Sequence, residues 1–232
     1  LDGSSAASDV YKRQVLEGLF GSCDQVTKTD DLIKSGYLSK FRIKILLCKH
    51  SSQHFETYHD EIDYLVEHRG RNNLIKNLVK DLEGNTLVLF NYVEKHGEPL
   101  YDLINSNVKE DRKVFFVHGG TEVVDREEVR LITEEEDNAV IVASYGTFST
   151  GINIKRLHNI IFASPSKSRI RNLQSIGRVL RKGEGKSIAT LYDIADDIGG
   201  QNYTLRHLNE RVTIYNEENF KYEVIKINLK AS

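Results

Sequence analysis

Residues 140–153 read VIVASYGTFSTGIN, an apolar run followed at once by a turn rich in hydroxyl groups and glycine. An unbroken apolar run of this length is typical of a strand buried on both faces of a parallel sheet. Main-chain amides at the end of such a strand, with hydroxyls beside them, can bind a phosphate group. The stretch therefore predicts an α/β sheet with a phosphate-binding turn, although a plain polar strand-to-helix loop has the same composition.

Four similar apolar runs lie on either side, at residues 86–91, 113–117, 159–163 and 187–192. Helical patterns separate them, at residues 93–105, 125–135 and 168–181. Strands that alternate with helices through short links form a mainly parallel sheet with right-handed crossovers and helices on both faces. We therefore predict a three-layer α/β domain over residues 85–200, with its ligands at the carboxyl ends of the strands.

The helical pattern at 168–181 carries two arginines and a glutamine on one face. Gln174, Arg178 and Arg181 are spaced i, i+4 and i+7, so a helix places them together. The opposite stripe is apolar or small and suits packing on a sheet; it consists of Ile170, Leu173, Gly177 and Leu180. Two guanidinium groups supported in this way can bind phosphate. A surface helix with solvated arginines would show the same pattern.

A second glycine turn follows the predicted strand at 113–117 and reads His118-Gly119-Gly120-Thr121. Two glycines allow another molecule to approach the backbone closely. Nothing nearby indicates general-base chemistry, so His118 is interpreted as structural rather than catalytic.

In order and spacing, these segments resemble the second RecA-like domain of superfamily-two helicases and translocases. The pattern Q-x-x-G-R-x-x-R at 174–181 is similar to the sixth motif of that family, whose arginines reach the γ-phosphate of an ATP held by another domain. The stretch at 140–153 resembles the fifth motif, which touches the nucleic-acid backbone and borders ATP. The turn at 118–121 resembles the loop that holds a phosphate of the tracking strand.

Several runs also resemble the UvsW helicases of tailed bacteriophages: ASYG at 143–146, FSTG at 148–151, IGRVLRK at 176–182, and the acidic ending Asp193, Asp196 and Asp197. Members of that family use ATP to remodel branched DNA, such as recombination intermediates and stalled forks. The resemblance covers residues 15 to about 197, while 201–232 is less specific.

The resemblance implies a role for each site residue. Arg181 would be the arginine finger, Arg178 its co-ligand, and Gln174 would position phosphate or water. Gly151 and Asn153 would border the nucleotide, although family members often carry aspartate where this chain has Asn153, and asparagine adds no charge. The implied contacts to the nucleic-acid backbone are His118, Gly119, Thr121, Ser144 and Tyr145.

Two motifs of ATP hydrolysis are missing from the sequence: the G-x-x-x-x-G-K-[ST] phosphate loop and an acidic D-E-x-[DH] box. The run GEGKS at 183–187 lacks the first glycine and precedes a predicted strand. We therefore expect ATP and Mg²⁺ to be held mainly by an upstream RecA-like domain, with no metal ligands in this chain. The chain alone is predicted to bind ATP poorly and not to hydrolyse it.

The remaining segments are assigned by pattern. Residues 4–14, SSAASDVYKRQ, resemble translated adapter sequence from DNA sequencing libraries, so 1–14 is excluded from the fold. Residues 15–56 are predicted to be the tail of a truncated first helicase domain, a partial N-terminal appendage with a helix at 28–35 and a strand at 41–47. A long amphipathic pattern at 60–82 predicts a linker helix within 57–84. The C-terminal extension, 201–232, is predicted as a helix at 203–216 and an exposed strand at 221–228.

The composition is that of an ordinary globular protein, with 39% hydrophobic and 28% charged residues and a net charge of −2. This charge argues against a uniformly basic polyanion binder, but residues 155–186 contain nine Lys and Arg against one acidic residue, Glu184. Two cysteines cannot form a disulfide framework. No apolar run reaches the roughly 18 residues that a membrane helix needs. We expect a cytoplasmic protein, in the host cytoplasm if the source is viral, with no membrane partner.

Three functions are compatible with these patterns. The first is the second motor domain of an ATP-dependent DNA helicase, with single-stranded or branched DNA and the upstream domain as partners. The second is a RecA-like module that binds nucleic acid or protein without hydrolysis, which would lack an upstream phosphate loop. The third is the translocase part of a restriction-type enzyme, which would carry a fused nuclease domain.

Overall fold

The computed structural model describes residues 29–151, 154–164, 175–177, 188–199 and 201–229. In this part of the chain, seven strands form one sheet in the order β3-β4-β2-β5-β6-β1-β7, and every neighbouring pair is parallel. The strands are β1 (Lys40–Lys49), β2 (Thr86–Phe90), β3 (Val114–Val117), β4 (Val140–Ser144), β5 (Asn159–Phe162), β6 (Ile188–Asp197) and β7 (Tyr222–Asn228).

The helices lie on both faces of this sheet. They are α1 (Thr29–Lys34), α2 (Tyr58–Glu67), α3 (Arg69–Asp81), α4 (Glu98–Asn105), α5 (Val123–Glu135), α6 (Tyr145–Gly151) and α7 (Tyr203–Glu217), and a π-helical turn, Val93–Gly97, leads into α4. Residues 175–177 are also helical.

The side chains of the strands pack alternately in two separate hydrophobic cores, because successive residues of a strand point to opposite faces of the sheet. On one face, Leu87 and Leu89 of β2 pack in the core that includes Phe148 of α6 and Leu208 of α7. On the other face, Val88 and Phe90 pack with residues of α3 and α4. The prediction of a three-layer α/β domain with a mainly parallel sheet is therefore confirmed.

The five predicted strands of the domain are all present, with ends that differ by a few residues. Strand β2 is buried at every position, which is why its sequence shows no alternation. The largest difference is β6, which continues from the predicted end at 192 through Asp197. Two of its aspartates, Asp193 and Asp196, are fully buried and paired with arginines, so their charge does not end the strand.

Strand β1 corrects the assignment of residues 15–56 to the tail of a preceding domain. It lies inside the sheet, between β6 and β7, and pairs with β6 over its whole length, from Lys40 opposite Ile188 to Lys49 opposite Asp197. Ile43, Ile45 and Cys48 of this strand are completely buried. The strand is thus part of the core of this domain, and the predicted N-terminal appendage does not include it.

The region predicted as one linker helix consists of two helices that are packed on the sheet. Ile75 and Val79 of α3 are completely buried in the second core. The helices are separated at His68, which has extended backbone angles, φ −67° and ψ 107°. The His68 Nδ1 atom accepts a hydrogen bond from the Arg71 amide at 3.2 Å and so caps α3. The apolar period continues across this break, so the period alone could not reveal it.

The C-terminal extension agrees in type with its prediction. Helix α7 packs on the sheet through Leu208 and Tyr215, which belong to the first core. Strand β7 is an edge strand that pairs with β1 and is exposed at most of its positions. None of the helices in the described ranges is both long and apolar enough to span a bilayer.

Candidate nucleic-acid and nucleotide interface

The predicted nucleic-acid residues lie at one edge of the sheet. Since all strands run in the same direction, the carboxyl ends of β3, β4, β2 and β5 meet there side by side. Strand β3 ends before His118, and its neighbour β4 ends at Ser144. Adjacent strands are about 4.8 Å apart, so the two predicted phosphate contacts occupy neighbouring positions.

The turn after β3 is held in a fixed shape by its own hydrogen bonds. The His118 amide donates to the Thr121 hydroxyl at 3.0 Å, and the Thr121 amide donates to the His118 carbonyl at 3.0 Å. The His118 Nδ1 atom accepts from the Gly120 amide at 3.2 Å, and its ring lies 5.1 Å from that of Phe116. His118 therefore helps to hold the shape of this turn.

Gly119 and Gly120 are both exposed in the turn, and Gly119 is the more open of the two. It makes no hydrogen bond within the described ranges, and a Cβ atom added to it would meet nothing within 4 Å. The turn thus presents an open main-chain segment beside the Thr121 hydroxyl, which suits contact with a phosphate oxygen. Glu122 and Asp125, next along the chain, are exposed and would repel phosphate.

Ser144 ends β4 and begins α6. Its Oγ atom accepts a hydrogen bond from the Thr147 amide at 3.3 Å and lies 2.9 Å from the Thr147 hydroxyl. This is the N-cap geometry expected of serine at the start of a helix. Ser144 is half-buried and Gly146 is exposed, so the hydroxyl and the first turn of α6 face the same edge as Gly119.

Tyr145 does not belong to an exposed interface, contrary to the prediction. Its side chain is 1% exposed, its hydroxyl donates to the Ser164 carbonyl at 3.3 Å, and its ring lies 5.6 Å from that of Phe162. The side chain fills the core beneath the edge and cannot contact nucleic acid. Tyrosine is suited to both environments because it combines a large apolar ring with one polar atom.

The predicted nucleotide residues lie mostly outside the described ranges: Gln174, Arg178, Arg181 and Asn153. Gly151 is the last residue of α6. Within the helical residues 175–177, Ser175 and Ile176 are 1% exposed, and Ile176 is part of the first core. Gly177 is exposed. The prediction that Gly177 packs on the sheet is therefore wrong, and the residue before it provides the apolar contact.

Sequence reasoning missed a set of contacts around Ser164, the residue that follows β5. The Ser164 Oγ atom accepts from the Asn91 amide at 3.2 Å and lies 3.0 Å from His96 Nδ1. Ser164 and His96 are 1% and 0% exposed. Burial in the protein interior, with the nearby Arg71 charge, lowers the pKa of His96 to about 3, against a smaller opposing effect of Asp196. The imidazole is therefore neutral at neutral pH.

Asp196 joins the carboxyl end of β6 to the helices on one face. The Arg71 Nε atom donates to both of its carboxylate oxygens, at 2.9 and 3.0 Å, and His50 Nε2 lies 2.9 Å from one of them. Burial raises the pKa of Asp196, but the Arg71 charge and these hydrogen bonds more than compensate, so the pKa is lowered overall. The next residue, Asp197, is paired with Lys49.

Metal ligands are not concentrated at this edge. No group of three or more His, Cys, Asp and Glu side chains in the described ranges is placed to hold a metal ion. These residues therefore do not fit a complete Mg²⁺ site.

The buried His96 predicts a pH dependence of folding stability. Because its folded pKa of about 3 lies below the ordinary value of 6.5, the unfolded chain binds an extra proton between these values. Stability should fall as the pH decreases from 6.5, by up to about 1.4 kcal/mol per pH unit for one such group. We expect His96→Asn to reduce this slope, measured by urea unfolding at pH 4.5, 5.5, 6.5 and 7.5. Burial also lowers the pKa of His68, so part of the slope should remain. An unchanged slope in the variant would contradict the assignment.

Comparisons with known proteins agree with this architecture. Residues 70–183 match the helicase conserved C-terminal domain family. The chain is 33% identical to the ATP-dependent DNA helicase uvsW of Enterobacteria phage T4, an alignment that covers 91% of this chain and 46% of that protein. The crystal structure of T4 UvsW superposes with a TM-score of 0.69 and 30% identity, over 83% of this chain and 42% of that one.

A more distant likeness concerns the fold alone. The ATP-dependent Type ISP restriction-modification enzyme LlaBIII bound to DNA superposes with a TM-score of 0.63 at 16% identity, over 93% of this chain and 17% of that one.

Residues 70–183 thus belong to the helicase conserved C-terminal domain family, and the fold is that of the second RecA-like domain of superfamily-two helicases. Within this class the chain is similar to the UvsW helicase of phage T4 and spans about half of its length.

Proposed function

We propose that this chain is the second motor domain of an ATP-dependent DNA helicase or translocase that acts on branched DNA in recombination, repair and fork remodelling. The observation that carries the proposal is the juxtaposition of two polar turns, 118–121 and 144–147, at the carboxyl ends of adjacent strands. The similarity to a phage DNA helicase supports the choice of DNA.

In this proposal the edge holds one DNA strand by its phosphates. Gly119 supplies an exposed main chain, while Thr121 and Ser144 supply hydroxyl groups whose oxygens already accept from the backbone. The Thr121 hydroxyl hydrogen would then donate to a phosphate oxygen, and the Ser144 hydroxyl hydrogen would do so when the Thr147 hydroxyl donates in their 2.9 Å contact. Contacts of this kind fix the position of the strand but carry no base information, so binding would have little sequence preference.

ATP would bind between this domain and an upstream RecA-like domain. Arg178 and Arg181 would hold the γ-phosphate from this side, with Gln174 positioning phosphate or water and with Gly151 and Asn153 beside the nucleotide. Mg²⁺, which neutralises charge on the phosphates when bound, would have its ligands in the upstream domain. The chain alone would then be inactive, and the complete protein would work in the cytoplasm, that of the host if it is viral.

Closure of the two domains around ATP, followed by opening after hydrolysis, would move the strand. Such closure completes a catalytic site only when both domains are present. The turns at 118–121 and 144–147 would hold the strand in one state and release it in the other, so that the two domains step along it.

The strand contact is tested by adding a negative charge at Gly119. A Cβ atom added at Gly119 meets nothing within 4 Å, and the charge of an aspartate would repel a phosphate at this turn. We expect Gly119→Asp to weaken binding of a single-stranded oligonucleotide about tenfold at low salt, measured by fluorescence anisotropy with this chain. Base composition should have little influence on the loss.

The matched control is Asn138→Asp, which adds the same charge at an exposed residue. Asn138 precedes β4 and so lies near the amino end of that strand, opposite the carboxyl end at which Ser144 lies. This control should bind the oligonucleotide within twofold of the unmodified chain. Equal weakening by both substitutions would indicate a general charge effect and would reject a strand contact at Gly119.

A further inference from the structure

Two exposed apolar side chains lie directly beside the turn at 118–121. Val123 and Val124 are 72% and 77% exposed, and they are the first two residues of α5. Neither belongs to the two hydrophobic cores of the described part of the chain. Side chains on a helix lean toward its amino end, and the amino end of α5 follows the carboxyl end of β3. The valines therefore lie at the edge of the sheet that carries the turn.

Folding alone gives little reason for valine at these two positions. A β-branched residue loses side-chain freedom in a helix, and the first turn of a helix favours acidic residues instead. Because both side chains stay mostly exposed, folding removes little of their apolar surface from water. A contact with another molecule would account for the pair.

The turn and the start of α5 are fixed to each other. The Arg126 Nε atom donates to the Thr121 carbonyl at 2.9 Å, and the Arg126 amide donates to the Glu122 carbonyl at 3.1 Å. Val124 is three residues after Thr121, and three residues of chain span at most about 11 Å. A nucleotide whose phosphate is bound at Thr121 would therefore have its base within reach of the valines.

The charges around the valines exclude a phosphate but not a base. Glu122 and Asp125, on either side of the pair in the sequence, are exposed and already supply the negative charge that the amino end of a helix favours. A phosphate brought to the valines would be repelled by both carboxylates. A nucleobase is uncharged and has an apolar face, and apolar side chains such as leucine and isoleucine contact bases in several DNA-binding proteins. The base is thus the part of a DNA strand that fits here.

We propose that Val123 and Val124 form a contact for unpaired bases of the DNA strand whose phosphates are held at the turn 118–121. The proposal rests on the proposed function and adds a contact for the bases, which that function leaves unassigned. In a duplex the bases are paired and stacked, so their faces are not available to the valines. The contact would therefore favour single-stranded over duplex DNA at a branch. Every base has such a face, so the sequence preference would remain small.

The test compares a single-stranded oligonucleotide with an abasic one of the same length, which keeps the phosphates and lacks the bases. We expect the double variant Val123→Ser with Val124→Ser to weaken binding of this chain to the base-bearing oligonucleotide about fivefold, measured by fluorescence anisotropy at low salt. Its affinity for the abasic oligonucleotide should stay within twofold of that of the unmodified chain. The variant Val123→Ile with Val124→Ile keeps the apolar surface and should bind both oligonucleotides like the unmodified chain.

A control on the same helix is Leu131→Ser. Leu131 is 51% exposed and follows Val124 by seven residues, which places it about 10 Å further along the helix axis. Its replacement removes exposed apolar surface at a distance from the turn and should leave both affinities within twofold. Urea unfolding shows whether each variant is folded. A loss in Leu131→Ser equal to that of the valine variant would reject a specific contact at the valines.

Two results would overturn the base contact while the phosphate contact stands. The first is a serine variant that binds the base-bearing oligonucleotide normally while Gly119→Asp weakens binding of both oligonucleotides, which would leave the valines to another partner, such as a protein. The second is an equal loss for both oligonucleotides, because the valines would then act on the phosphates or on the shape of the turn. If Gly119→Asp weakens neither, the strand contact of the proposed function is rejected, and the base contact with it.

Discussion

Replacing Arg181 by alanine in the longer protein is expected to lower DNA-stimulated ATP turnover by about 10³–10⁵-fold, the range known for arginine fingers. This corresponds to about 4–7 kcal/mol of activation free energy. The reason is that a guanidinium group at the γ-phosphate stabilises charge that develops in the transition state. Steady-state ATPase assays with saturating single-stranded DNA measure the effect, and anisotropy shows whether DNA binding is retained.

Two further variants make this result specific. Arg181→Lys keeps the positive charge but loses the planar fork that binds two phosphate oxygens, so it should remain well below the unmodified protein. Arg206→Ala removes an exposed arginine that lies over the Tyr203 ring and should keep turnover within twofold. Turnover of Arg181→Ala within a few-fold of normal, with DNA binding intact, would reject the finger assignment.

The second large effect is on folding stability, and it can be measured with this chain alone. Arg71→Met removes the arginine partner of Asp196, and both side chains are at most 1% exposed. Among the residues that the structure describes, the carboxylate would then keep only its contact with His50. Removal of one partner from a buried ion pair typically costs about 3–5 kcal/mol. We expect a loss of this size in the free energy of unfolding, measured by urea denaturation at pH 7.

A double variant separates the two contributions to this loss. Arg71→Met with Asp196→Asn removes both charges and should recover a large part of the stability, because no unpaired buried charge remains. Arg130→Met breaks an exposed pair with Glu127 and should have little effect. A double variant no more stable than Arg71→Met would show that lost packing, and not the unpaired carboxylate, causes the destabilisation.

The strands of this fold could be predicted because a strand buried on both faces must be apolar throughout. The helix pair around His68 and the π-helical turn at 93–97 could not, since neither interrupts the apolar period. The sequence also did not reveal that β1 belongs to the central sheet. Its apolar residues indicate a strand, but nothing local specifies that its partner is β6, far along the chain.

The positions of Gly119 and Ser144 at the ends of their strands could be predicted from the sequence, whereas the contacts beneath them could not. Each closely follows an apolar run, and glycine and serine are typical of the turns that end such strands. Tyr145 was assigned wrongly, since its sequence neighbours do not show which way the ring points. The contact between His96 and Ser164 joins residues 68 positions apart, and serine and histidine are too common for such a pair to be recognised in one sequence.

The placement of β1 between β6 and β7 has a consequence for how the molecule forms. Contacts such as that of Lys49 with Asp197 join residues 148 positions apart, and β7 follows later still in the chain. Pairings of such long range slow folding, because a large loop must close before any contact is gained. During synthesis, β1 would leave the ribosome before β6 and β7. It would therefore remain without its pairing partners until both had been made. Until residue 228 is released, its unpaired backbone groups and its apolar side chains would be available to chaperones or to other nascent chains.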